Sequence, residues 1–240
     1  MVNIPADQGG PGAHSLLATT IRRTLTIGRL YILLGVGLSL LLSLVLLATS
    51  RAGTVFSTTY PLELPLFATL GATGGLMTFS SDRTKGVFEY LIAYGISPRS
   101  LFVNGLISTA ALSGIILALS LAVGLGAAQV RGVALSGDLF TALALYTVPM
   151  SFAGALFMST LGMIWSSLST PRTGINSPAG IAPLLGIAPT ILVLIAAESA
   201  PRSEYYYITA GAAVVILAAV LALLIASAHL MGRERFLSPL

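Results

Sequence analysis

The chain has 240 residues, 55% of them hydrophobic and only 8% charged, with a mean hydropathy of +0.94. Soluble domains carry about 25% charged residues, so the composition excludes a water-soluble globule and is that of an all-α, polytopic membrane protein. Cysteine is absent, which excludes disulfides and thiolate catalysis; only two histidines, His14 and His229, are present and far apart in the chain, which argues against a protein-only metal site; and the net charge of +4 fits basic membrane flanks rather than a nucleic-acid surface.

Residues 1–12, polar and rich in Gly and Pro, are expected to be disordered, and no apolar run within them reads as a cleavable signal. Over 13–27, Leu16, Leu17, Ile21 and Leu25 alternate at helical spacing with Arg22 and Arg23. That pattern fits an interfacial elbow helix, or else a plain extension of the first span.

Six spans are expected, at about 28–49, 61–79, 100–127, 139–167, 179–197 and 207–231, together a transmembrane domain over 28–231 followed by a tail at 232–240. At about 1.5 Å per helical residue such runs cross a hydrocarbon core of about 30 Å. The second span has Glu63 near its outer end and Gly71, Gly74 and Gly75 for close helix packing. Asn104, near the inner end of the third, is expected to make a helix-packing hydrogen bond rather than bind a substrate. The fourth contains Pro149, where a tilt or kink is expected, the small pair Ala155 and Ser159, and Trp165 at the inner end. Pro183 and Pro189 make the fifth either a broken helix at a transport path or an ordinary kinked span. Tyr205, Tyr206 and Tyr207 form an aromatic belt at the start of the sixth.

Orientation follows from basic residues. With the N-terminus inside, the inner side holds Arg22, Arg23, Arg29, Arg83, Lys85, Arg99, Arg172, Arg233 and Arg235, against Arg51, Arg131 and Arg202 outside. This asymmetry places both termini in the cytoplasm.

Between the second and third spans lies the stretch FSSDRTKGVFEYLIAYGISPRSLFVNGL, residues 79–106, with the only lysine of the chain, Lys85. Its middle, about 82–95, is expected to be a short amphipathic helix. Val87, Phe88, Leu91 and Ile92 share one side and Lys85 and Glu89 another. Asp82 is placed to cap its first turn, Gly95 to close it in a left-handed conformation, and Ser97–Pro98 to start the next helix.

This stretch resembles the segment between the second and third membrane helices of ABC-2 type ABC transporter permeases. There an acidic–basic pair precedes a glycine, an apolar residue with a glutamate, a pair of leucines and a serine turn; here these places read Asp82–Arg83, Gly86, Phe88–Glu89, Leu91–Ile92 and Ile96–Ser97. The family commonly has threonine where Val87 stands, proline where Gly95 stands and Gly-Lys where Asn104–Gly105 stands. The resemblance implies that 82–95 is a coupling helix docking on a separate ATPase subunit, through Asp82, Arg83, Gly86, Val87, Phe88, Glu89, Leu91, Ile92 and Ser97. It also implies a second permease copy or a similar partner, ATP and Mg on the ATPase, export as the direction, and a cell-membrane location among lipids.

The chain itself has no G-x-x-x-x-G-K-[ST] loop, no G-x-S-x-G and no H-E-x-x-H, so no enzymatic activity and no cofactor is expected on it. No span carries a charge near its middle, which argues against an ion-coupled carrier. The expected function is the membrane-spanning subunit of an ABC transporter, the alternative a permease-like anchor or regulatory subunit of a larger membrane complex.

Overall fold

The computed structural model describes residues 13–49, 54–168, 188, 191, 192, 195 and 202–230. All elements among them are helical: α1 (Ala13–Thr49), α2 (Thr54–Thr84), α3 (Val87–Ala93), α4 (Pro98–Val130), α5 (Gly137–Ala142), a π turn (Leu143–Thr147), α6 (Val148–Leu168) and α7 (Arg202–Leu230). Helices α1, α2, α4 and the run from α5 through α6 are each long and apolar enough to cross a membrane, so the chain has the architecture of a multi-pass membrane protein. Helix α7, whose described apolar stretch is Ala210–Ala226, packs on α6. Apart from its four single described residues, the expected fifth span, with Pro183 and Pro189, lies outside the described residues, as do 1–12 and 232–240.

Helix α2 is the hub. It packs on α1, α4 and α6, and 72% of its 18-residue apolar stretch is buried against 28% of the corresponding stretch of α1. Its own residues explain this. Thr109 and Ser113 of α4 lie directly against Gly75 and Gly71; a Cβ on Gly71 would stand 2.7 Å from the Ser113 Cα. Only glycine lets two helix backbones come that close, and van der Waals contact rather than hydrophobic burial drives association in lipid. On either side of this waist lies an apolar cluster. One gathers Leu76, Phe79, Phe88, Ile92, Phe102 and Met163 at the charged end; the other gathers Leu47, Phe56, Tyr60, Leu64, Leu117 and Leu139 at the opposite end.

Several expected boundaries move. No separate elbow helix forms, because 13–27 is continuous with the first span in a single 37-residue α1. Nothing in 13–27 breaks a helix, and Arg23 is held at this end by Asp82 of α2 at 2.6 Å. The second span starts not at Pro61 but at Thr54, with Pro61 and Pro65 inside the helix. Interior proline strips the carbonyl four residues earlier of its donor, so Pro65 leaves the Pro61 carbonyl open. Thr147 of the π turn fills it, its hydroxyl donating to the Pro61 oxygen at 2.7 Å, while Tyr146 donates to the Leu62 oxygen at 3.2 Å. Side-chain donors of this kind are what make proline tolerable in a membrane helix. The irregularity expected at Pro149 takes the form of that π turn, closed by the Val148 N–H on the Leu143 oxygen immediately before the proline.

Candidate functional site

The site is the charged end between α2 and α4. Helix α2 runs on to Thr84, so Asp82 and Arg83 sit in its last turn and Asp82 caps nothing. The reversal comes one turn later, at Gly86 with φ +70°, a left-handed conformation that an L side chain resists. Gly86 is then the N-cap of α3, with no side-chain cap. Lys85 therefore lies in the turn rather than on α3, and its backbone N–H still bonds Ser81 of α2.

Helix α3 ends as its sequence directs. Gly95 has φ +88°; its N–H bonds the Ile92 oxygen at 3.0 Å and the Ile96 N–H bonds the Leu91 oxygen at 3.1 Å. This is a Schellman closure, and Leu91 and Ile96, the two residues that such a closure brings together, both pack on the charged-end cluster. Ser97 then caps α4, its Oγ accepting from Ser100 N–H at 3.2 Å with Pro98 in the first turn.

The inner face of α3 is locked into the bundle. Phe88 and Ile92 are buried, and the Phe88 ring meets Phe79 of α2 edge-on at 4.8 Å. Phe79 meets Phe102 of α4 at 6.3 Å, so one aromatic chain ties three elements. Val87 and Leu91 are half-buried on the flanks. Glu89 lies close enough to Arg83 for their charges to attract, which joins the start of α3 to the end of α2. Of the residues singled out in the sequence, Asp82, Arg83, Phe88 and Ile92 thus face inward, and Ser97 makes a cap.

The outward face is a pair absent from that set. Tyr90 and Tyr94 are 61% and 69% exposed, with ring centroids 4.6 Å apart. Their i, i+4 spacing opposite Phe88 and Ile92 was a readable signal. Aromatics standing off the apolar face of a short helix are not needed for its packing.

Elsewhere in the bundle the polar groups are small. Tyr60 donates to the Ser120 oxygen at 2.6 Å and lies 3.0 Å from Ser39 Oγ, which links α1, α2 and α4. Asn104 is buried, and its side-chain nitrogen meets no hydrogen-bond partner among the described residues. Ala155 and Ser159 are fully buried, and Trp165 is partly exposed at the charged end. Among the described residues no cluster of His, Cys, Asp and Glu is suited to a metal. No family model, no curated protein and no solved structure matches the chain.

Proposed function

We propose that this chain is the membrane-spanning permease subunit of an ABC transporter. In this reading it has six spans with both termini in the cytoplasm of the cell. It pairs with a second copy or a similar subunit, and exports cargo using ATP and Mg held on a separate ATPase. The observation that carries the reading is α3. It is a short helix packed on α2 and α4, buried through Phe88 and Ile92 and exposed through Tyr90 and Tyr94. A partner pushing on the tyrosines would act on α2 and α4 together, because the Phe88 ring packs on Phe79, which in turn packs on Phe102.

The test separates these two faces. Truncating an aromatic anchor at a protein interface costs about 2 kcal/mol or more, roughly thirtyfold in affinity. The double substitution Tyr90→Ala, Tyr94→Ala is expected to reduce co-purification of the ATPase from native membranes and ATP-driven transport by that order, with thermal stability unchanged. Phe88→Ala instead removes a buried core ring and lowers stability by about 3 kcal/mol. If the tyrosine variant keeps full partner binding and full transport, α3 is not a coupling element. If the ATPase stays bound but no transport is measurable in the wild type, the chain is a permease-like anchor.

A further inference from the structure

Helix α1 is longer than a membrane needs. Counting back twenty residues, about 30 Å, from its end at Thr49 reaches Leu30. Arg29 therefore falls at the edge of the hydrocarbon and Arg22 about 10 Å beyond it, at the depth of lipid headgroups. The two arginines are seven residues apart, two turns, and share one face. Both are exposed and, together with Ala18, Ile21, Leu25 and Thr26, they line an open groove on α1. Neither has an ion pair among the described residues; the neighbouring guanidinium of Arg23 points elsewhere and is taken by Asp82. The same stripe continues toward the membrane centre through Leu33 and Leu40, which are 70% and 40% exposed.

We propose that Arg22 and Arg29 form a seat for the phosphate headgroup of an anionic phospholipid, whose acyl chains run along Leu33 and Leu40. Charge complementarity selects the occupant: two guanidiniums facing the headgroup layer, with no carboxylate among the described residues paired to either, attract a phosphodiester that carries net negative charge. A zwitterionic lipid brings its own cation to the same place. The apolar stripe selects a lipid over a soluble phosphate, since only a lipid covers Leu33 and Leu40 as well. Arginine stems can snorkel along the helix to close the axial gap between the two positions. The seat does not depend on what the chain transports or on any partner at α3.

The test uses the full chain purified in neutral detergent. Native mass spectrometry and thermal melting are read against phosphatidylglycerol and phosphatidylcholine with identical acyl chains. The wild type is expected to retain phosphatidylglycerol roughly tenfold or more over phosphatidylcholine, from the contribution of two basic groups near an anionic headgroup. Arg22→Gln with Arg29→Gln abolishes that preference, whereas Arg22→Lys with Arg29→Lys keeps most of it. Inorganic phosphate at millimolar concentration does not compete. Equal retention of the two lipids by the wild type, an undiminished preference in the glutamine variant, or displacement of the lipid by inorganic phosphate overturns the proposal. Should the glutamine variant fail to fold, a photoactivatable phosphatidylglycerol on the wild type decides the matter. Adducts within residues 18–40 support the seat, and adducts confined to other helices overturn it.

Discussion

A single phenol, Tyr60, joins three helices. Its one hydroxyl proton goes to the Ser120 carbonyl, so Ser39 must be the donor in the contact between the two side chains. Tyr60→Phe leaves the shape and removes both bonds; with the site fully buried, the expected loss is about 1–3 kcal/mol, read as a lower melting temperature in detergent. An unchanged melting temperature would show that the node contributes nothing. Gly71 makes the steric counterpart. Gly71→Val pushes the α2 backbone off Ser113 and is expected to cost about 1–3 kcal/mol, whereas Gly126→Ala, with open space around it, should be close to neutral. At this scale the sequence was partly legible: glycines three and four apart in an apolar run announce close packing, but which helix they meet is not written in the run itself.

Among the elements, the prolines of α2 and the π turn form one unit. The vacancy that Pro65 leaves at the Pro61 carbonyl is filled from 86 residues away by Thr147. Thr147→Val should therefore destabilise by about 1 kcal/mol, within the range seen for interhelical bonds in membranes. Pro65→Ala restores an N–H for the same carbonyl, so Thr147→Val should cost less in that background. Additive effects in this double-mutant cycle would sever the link between the two irregularities. Helix α3 shows how far local signals carry. Gly95 and Ser97–Pro98 act as their spacing announces, because Schellman closure and serine capping involve only neighbours in the chain. Asp82 departs from its expected place because its charge finds Arg23 of α1, far earlier in the chain, a contact that local periodicity cannot contain.

For the molecule as a whole, the unequal distribution of basic residues predicts which end faces the cytoplasm, and the cysteine-free chain makes that testable. Val130, 90% exposed at the far end of α4, and Ala93, exposed on α3 at the charged end, are suitable positions. Val130→Cys should react with an impermeant thiol reagent in intact cells and Ala93→Cys only after permeabilisation; the opposite pattern reverses the orientation. Composition and apolar run length determined by themselves that the chain is helical and built to cross a membrane, since in lipid each backbone group must be satisfied within its own segment. Gly95 and Ser97 placed the end of the short helix and the start of α4, because closure and capping act locally, whereas the short helix itself starts at Val87 rather than at about 82. The tertiary structure alone decided that α2 is the hub, that 13–27 continues α1, that Phe88 and Ile92 belong to the bundle core while Tyr90 and Tyr94 face out, and that Thr147 completes a carbonyl stripped by Pro65. Each of those outcomes depends on which distant side chain arrives at a given surface, and helical period and composition say only that some surface must be met.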